Sequence, residues 1–569
     1  MTLSSGLPPE AEAFDVVVLG AGAGGMAAAA VAATEGLSVL VLEKTRHVGG
    51  TTAISGGMVW APNCDVEAAA DDSTDAAAAY LDATVPTDAG RAIREAYLAA
   101  APLAIGYLAH HTEVRLEAVP FYPDYYPELP GATTRGRVLE PEPFDGRRLG
   151  DAFDRLKPPL PEFTLFGGMM VARADLPHFR NLFRSARSAL HVARLVVAYA
   201  RQRLGHRRGT SLVLGNALAG RLLKSLLDRD VSICLDTHVV RLERQAGRVV
   251  GVVVAEQGRE RVLVAKRAVI LATGGFSHNA ARRRDLLPRE AQEVTAVADG
   301  AAGDGLDLGT AAGGRIERAE FSPAFWVPAS HYRRSDGRQV IFPHTVTDRG
   351  KPGLIAVTAA GRRFTNEAAS YHEFVGAMLR ADNAADAVPA RLICDRRFIW
   401  KYGLGAIKPM TLRLRSYKAA GYLTEANSIA GLARALRIDE DALVMTVERY
   451  NRDARQGTDT EFGRGSNVYQ RHFGDAEVHP NPCLAPIERP PFYSISVSPA
   501  DLGTATGLAV NAQAQVLDGD GRPVPRLYAC GNDMASIMQG AYPGPGITIG
   551  PALVFGYLAA MHAAAAAEV

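Results

Sequence analysis

The chain is predicted to be an α/β protein: a twisted, mostly parallel sheet into which an α+β domain is inserted. Three stretches predict this. Phe14 to Gly57, FDVVVLGAGAGGMAAAAVAATEGLSVLVLEKTRHVGGTTAISGG, runs strand, glycine turn, alanine-rich helix, strand and acid. Strand texture returns over residues 231–275 and closes on Ala272-Thr273-Gly274-Gly275. The last helix is opened by Tyr542-Pro543-Gly544-Pro545-Gly546-Ile547-Thr548-Ile549-Gly550.

In the first stretch each residue has a physical reason. Gly20 permits the tight turn, Gly22 lets backbone approach a pyrophosphate, and Gly25 lets helix and strand pack closely. The pyrophosphate then rests on the amides of the helix N-terminus. Glu43, about 20 residues on, accepts hydrogen bonds from an adenosine ribose. Gly49, Gly50, Thr51, Thr52, Ser55, Gly56 and Gly57 form a second run of small residues. It suits a flavin's ribityl and pyrophosphate portion and has no use in a nicotinamide enzyme. The expected cofactor is therefore FAD, in a Rossmann-like domain of the glutathione-reductase type.

Bulk properties exclude several classes. Hydrophobic residues make up 47% and charged residues 22% of the 569, ordinary values for a globular chain of two or more domains. A net charge of +1 argues against nucleic acid as a partner. Five scattered cysteines without a CxxC point to a reducing compartment and to neither disulfides nor zinc. The start, MTLSSGLPPEAEAF, lacks a signal-peptide pattern, so the expected location is cytoplasmic. The apolar run from Ile549 on contains Gly550, Pro551 and His562 and is expected to be a buried helix rather than a membrane span.

The boundaries expected are a first part of the FAD domain at 1–144, an insertion at 145–209, a second part at 210–315, a substrate domain at 316–485, and a return at 486–569. Residues 80–111 look helical. Pro120 to Pro143 is a proline-stiffened loop carrying Phe121, Tyr122, Tyr125 and Tyr126. Phe179 to Gly209 holds eight arginines and no acid, with Phe179, Leu182, Phe183, Ala186, Leu190, Ala193, Val197 and Ala200 at helical spacing. Such a helix lies in an anionic membrane interface, which would make the protein peripheral, or packs on its own protein with its arginines in solvent. Residues 231–275 form a β-meander with turns at Gln245-Ala246-Gly247 and Gln257-Gly258. Gly303-Asp304-Gly305 opens a helix, Glu425 to Arg455 is helical, and a hairpin turns at Asp518 to Gly521. Lys44, Val239, Ala272, Thr273, Gly274, Asp304, Asn532, Gly546, Ile547 and Thr548 complete the expected cofactor contacts.

The final turn sets a helix N-terminus where electron density builds on a flavin ring. Tyr542 and the bare Gly546 amide make an oxyanion-hole arrangement for a carbonyl becoming an enolate. The set FDVVVLGAGAGG, GGTTAISGG, YPDYYPELPGA, GRRFTNEAASY, FGRG and GNDMASIMQGAYPGPGITIGPALVFG resembles the 3-ketosteroid Δ1-dehydrogenases of the FAD-dependent fumarate reductase and succinate dehydrogenase flavoprotein superfamily. The resemblance covers most of the chain and is weakest over 145–210. It implies 1,2-dehydrogenation of a 3-ketosteroid in steroid breakdown, with an external acceptor such as a quinone. It implies that Tyr542 and Gly546 hold the ketone oxygen, Tyr371 removes a C2 proton, Tyr125 supports Tyr371, and Tyr122 lines the pocket. The run Asp124-Tyr125-Tyr126 leaves open which tyrosine gives that support.

The alternatives are Δ4-dehydrogenation, another cyclic ketone, or a fumarate-reductase type of reaction. The last needs cationic clamps for a dianion. Here Gly503-Thr504-Ala505-Thr506-Gly507 has glycine where those enzymes typically place histidine.

Overall fold

The computed structural model describes residues 3–5, 13–64, 72–256, 259–345, 348–381 and 384–566. Val16, Val17 and Val18 in the strand Ala13–Leu19 are wholly buried, as a strand covered on both faces requires. It pairs in parallel with Val39–Leu42 on one side and with Arg259–Leu271 on the other. Ser232–Leu235 and Leu3–Ser5 extend the sheet beyond Val39–Leu42. Beyond Arg259–Leu271 lie the antiparallel strands Arg248–Glu256 and Val239–Gln245, turning at Ala246 and Gly247, both at positive φ. The turn expected at Gln257-Gly258 lies outside the described residues. Pro523–Ala529 also joins Arg259–Leu271, and hairpin-pairs with Gln515–Leu517.

Alanine is the main residue of the helix Ala23–Thr34 because it packs against the C-terminal helix Ile549–Ala565. An added Cβ on Gly556 would sit 2.6 Å from the Gly24 carbonyl oxygen and 3.3 Å from Ala28 N, so the two helices meet closely at backbone level. The C-terminal helix is buried along most of its length, and among the described residues no helix is long and apolar enough to cross a membrane.

The second sheet is built around one long strand, Phe492–Thr504. Ala324–Arg333 and then Gln339–Pro343 lie on one side of it, and Ala390–Asp395 and then Leu354–Val357 on the other. The expected return to the first domain at residue 486 is thus too early. Phe492–Thr504 supplies the central ladder of the inserted domain, which also takes Val294–Thr295 from ahead of residue 316. Alternation of apolar and small residues along 492–504 does not say which sheet it joins.

The stretch 80–111 divides into Thr74–Thr84 and Arg91–His111, because Gly90 takes a left-handed conformation between them. The insertion is closed at its neck by pairing of Phe144–Asp145 with Ser211–Leu212. Its arginine-rich part is not one helix over 179–209. A short helix Leu176–Arg180 ends, and Ser185 caps a new one, Ala186–Gln202, by accepting from Ser188 N. Phe179, Leu182 and Phe183 therefore stand off the main helix.

Candidate active site

The tyrosines expected to act in catalysis come from three separate elements. Tyr542 lies in the turn before the C-terminal helix. Tyr371 begins the helix Tyr371–Arg380, whose N-cap is Ser370, accepting from Glu373 N. Tyr125 sits in the proline-stiffened loop, fixed by hydrogen bonding of its N–H to the Pro543 carbonyl at 3.1 Å. Tyr80 OH donates to the same carbonyl at 2.6 Å. Loop and turn thus share an anchor, and three phenols converge. Tyr125 OH donates to Tyr371 OH at 3.0 Å, and Tyr371 OH to Tyr542 OH at 2.8 Å. Tyr126 points elsewhere, donating to Glu373 Oε1 at 2.9 Å. Tyr122 is buried against His472 and Phe473.

Burial dominates the electrostatics here. It pushes Tyr371 and Tyr125 well above the ordinary phenol value, and Tyr542 up to about 12. His372, whose ring stands 5.6 Å from that of Tyr542, is pushed down to about 4 by burial and is neutral. Its Nδ1 accepts from Trp326 N at 3.2 Å.

Gly546 has φ +89°, and a Cβ there would lie 2.6 Å from the Met58 carbonyl carbon and oxygen and from Trp60 N. Only glycine fits. Its carbonyl accepts from Trp60 N and Gly550 N, while none of the described residues accepts from its own N–H. That amide is placed to donate to a ligand.

Most of the residues expected to hold the cofactor gather at the carboxyl ends of the parallel strands of the first sheet, Ala13–Leu19, Val39–Leu42 and Arg259–Leu271. Gly20 and Gly25 are packing glycines, since added Cβ atoms would lie 2.2 Å from the Ala272 oxygen and 2.0 Å from the Gly20 oxygen. Gly22 and Gly56 instead face open space, and Gly50 meets only the Gly22 Cα at 3.7 Å. A strip of bare backbone of this kind fits a pyrophosphate. Glu43 accepts from the amides of Ala21 and Thr45 at 2.9 Å each, and its carbonyl accepts from Thr237 N, which brings Val239 close. Thr52 Oγ1 accepts from Ala23 N, and Thr51 Oγ1 from Ala298 N. Ser55 Oγ accepts from Gly57 N, and Gly49 N donates to the Ala21 carbonyl. Lys44 and Asp304 pair at 2.6 Å. Asn532, Ile547 and Thr548 line one small cavity with Phe325 and Gly531. The residues present fit FAD.

Sequence reasoning missed Asp533. Fully buried, it accepts from Thr273 N, from Thr273 Oγ1 at 3.0 Å and from Gly275 N at 2.9 Å, and so pins the Ala272–Gly275 turn. Its place directly after Asn532 was the available signal. Also missed was the ion cluster behind Tyr371. Arg363 pairs with Glu367 at 2.6 Å and Asp459 at 2.8 Å, and Arg464 with Glu367 at 3.1 Å, all dry. The motif Gly361-Arg362-Arg363-Phe364-Thr365-Asn366-Glu367 holds two of its members, which anchors the segment leading to Tyr371.

Residues 15–549 match the FAD binding domain family model. The chain is 36% identical over 565 residues to a 3-oxosteroid 1-dehydrogenase of Mycobacterium tuberculosis, covering 97% of this chain and 98% of that one. A 3-ketosteroid Δ1-dehydrogenase from Sterolibacterium denitrificans, solved in complex with 1,4-androstadiene-3,17-dione, superposes with a TM-score of 0.91 at 37% identity. That match covers 97% of this chain and all of that one. The chain belongs to the 3-ketosteroid Δ1-dehydrogenase family of FAD-dependent oxidoreductases. A further relative, at 38% identity over 96% of this chain and 93% of its own, is the 4-oxocyclohex-2-ene-1-carboxylate 5-dehydrogenase of Sinomonas cyclohexanicum.

Proposed function

We propose that this flavoprotein dehydrogenates the C1–C2 bond of 3-ketosteroids, turning a 3-oxo-Δ4-steroid into its Δ1,4 product during steroid breakdown. The observation that carries the reading is the chain of hydroxyls Tyr125–Tyr371–Tyr542 beside the Gly546 amide. Tyr542 OH and Gly546 N–H donate to the C3 ketone oxygen and stabilise the enolate forming there. Enolate stabilisation acidifies C2–H, and Tyr371, as phenolate, takes that proton. Tyr125 donates to Tyr371 and holds its oxygen towards C2. FAD, held along Gly20–Gly25, Glu43 and Gly49–Gly57, would supply the oxidant for the hydride lost from C1, with an external acceptor such as a quinone as the final oxidant. The aromatic walls of Phe325, Tyr122 and Tyr469 exclude water from these steps.

The relative acting on 4-oxocyclohex-2-ene-1-carboxylate favours a second reading, a monocyclic keto acid. Turnover of androst-4-ene-3,17-dione and of that keto acid by the FAD-loaded protein separates the two. The steroid reading expects flavin bleaching by the dione under anaerobic conditions and formation of androsta-1,4-diene-3,17-dione. Bleaching by the keto acid alone would refute it, and a Δ4 product from a saturated 3-ketosteroid would redirect it.

The same reading includes a peripheral place on the cytoplasmic face of an anionic membrane. Leu190 and Val197 project from the helix Ala186–Gln202, and Leu204 follows it at 90% exposure, among Arg187, Arg194 and Arg201. The inner face, Ser188, Val192 and Tyr199, packs on the protein. A second acid-free run, Arg396 to Lys418, exposes Trp400, Met410 and Leu412 and is tied to the insertion by Lys408 donating to the Thr164 carbonyl. Apolar side chains ringed by cations suit anionic headgroups. Flotation with anionic liposomes is the test; binding should be lost on changing Leu190, Val197 and Leu204 to Ser, and absence of wild-type binding would refute this part.

A further inference from the structure

A buried tyrosine makes a poor base, because desolvation opposes its phenolate. The Tyr371 pocket is dry, and its neighbours Tyr122, Tyr125 and Tyr542 are neutral phenols that burial also pushes away from ionisation. Hydrogen bonding from Tyr125 lowers the cost in part. A fixed positive charge would lower it further.

One cation behind this cluster makes no side-chain ion pair among the described residues. Arg349 has no exposed surface. Its Nη1 donates to the Glu367 carbonyl at 2.6 Å and the Ala369 carbonyl at 2.8 Å, and its Nε to the His344 carbonyl at 3.2 Å. Its Nη2 is buried with no partner among the described residues. The guanidinium lies 5.2 Å over the ring of Phe374, three residues after Tyr371. The neighbouring arginines Arg363 and Arg464 share Glu367 and Asp459, two cations against two anions. Asp348 accepts from the backbone N–H of Arg349 at 2.7 Å, and its other oxygen from His344 Nδ1 at 2.6 Å and Gly405 N at 3.1 Å, so its carboxylate meets the Arg349 backbone rather than the guanidinium. A buried charge without close compensation is costly, and proteins keep one where it meets an opposite charge.

The ionisable groups whose charge acts on Arg349 are Tyr469, Asp348, Tyr125 and Arg464. Tyr469 packs its ring 5.0 Å from that of Tyr125, and its hydroxyl, like Arg464 Nε and Tyr450 OH, is buried without a partner among the described residues. Tyr125 in turn holds Tyr371. The path from guanidinium to base is therefore a row of buried aromatic groups, in which charge is weakly screened.

We propose that Arg349 is a positioning residue for the reaction, the fixed cation whose charge stabilises the anionic form of the Tyr125–Tyr371 pair while its Nη1 holds the backbone leading into Tyr371. This rests on Tyr371 being the base. The two roles separate by substitution. Arg349→Gln keeps an amide that can donate to the Glu367 and Ala369 carbonyls but removes the charge; Arg349→Lys keeps the charge with fewer donors.

The test is the pH profile of kcat and KM for androst-4-ene-3,17-dione in the FAD-loaded enzymes. Losing the cation makes phenolate formation harder, so the ascending limb of kcat should move to higher pH in Arg349→Gln. A shift of about one unit is a tenfold loss of turnover at fixed pH below the limb, recovered at high pH. KM should stay level, and Arg349→Lys should keep its limb near that of wild type. Equal limbs in all three enzymes, or a uniform fall across pH, would overturn the proposal. If Arg349→Gln does not fold, Arg349→Lys decides: a limb held at the wild-type pH supports the role of the charge, and a limb moved to higher pH or a uniform fall across pH would overturn the proposal. Tyr371→Phe that still turns over would defeat the base assignment instead, whereas an unshifted limb beside an inactive Tyr371→Phe defeats only the role of Arg349.

Discussion

Replacing Gly546 by Ala adds one carbon at the point where the structure has least room. The backbone there has φ +89°, where an L-residue is disfavoured by about 1–2 kcal/mol. The new Cβ would start 2.6 Å from Met58 C, Met58 O and Trp60 N, all backbone atoms that cannot rotate away. Relief to ordinary contact needs a movement of roughly 0.5–1 Å, on the scale at which packed interiors resist deformation. The turn must move, and with it the amide proposed to donate to the ketone oxygen. Loss of one oxyanion donor costs about 10²–10³ in turnover, or about 3–4 kcal/mol of barrier. The assay is kcat on androst-4-ene-3,17-dione, with flavin content and thermal midpoint as controls for folding. A purified Gly546→Ala enzyme that holds FAD and turns over within threefold of wild type would show that this amide is not the donor.

Other substitutions test other parts. Tyr125→Phe removes a hydrogen bond that a phenolate receives, worth about 1.5–3 kcal/mol, so kcat should fall about 10–100-fold, while Tyr126→Phe should leave it within twofold. A similar loss in both would undo the choice between the adjacent tyrosines. Glu367→Gln takes the shared carboxylate from between Arg363 and Arg464; about 3–5 kcal/mol of stability should go, read as a large fall in denaturation midpoint. A change under 1 kcal/mol would mean the cluster relaxes into water. Burial raises Asp533 from 3.8 to about 6, so its contribution favours the fold below pH 3.8 and is lost as pH rises through 6. That difference amounts to about 3 kcal/mol. Relative to Asp533→Asn, the flavin-free wild type should lose stability between pH 4 and 7, and parallel pH curves would contradict the assignment.

Much of this was legible in the sequence because local chemistry specified it. Gly20, Gly22 and Gly25 between two apolar runs leave little choice but strand, turn and helix, and the structure crowds the first and third while leaving Gly22 open. Tyr542 and Gly546 were legible because proline and glycine dictate the turn that carries them. What the sequence left open depends on contacts far apart along the chain. Nothing local separates Tyr125 from Tyr126; the Pro543 carbonyl does, by fixing the backbone of the first. Phe492–Thr504 reads as a strand, but its sheet is chosen by partners 100 to 180 residues earlier. Residues 179–209 have helical spacing throughout, and the break at 181–185 comes from capping by Ser185, a competing local signal within an otherwise continuous pattern. Arg349 has no motif at all, and only its burial beside the phenols marks it.

The central claim is that Tyr371 takes the proton while Tyr542 and Gly546 hold the oxygen. Single-turnover reduction of the bound flavin in Tyr371→Phe, mixed anaerobically with androst-4-ene-3,17-dione, tests it most directly. The dione should still bind and perturb the flavin spectrum, with bleaching slowed at least a thousandfold, on the scale of general-base loss. Bleaching at a rate near that of wild type would mean that another group removes the proton.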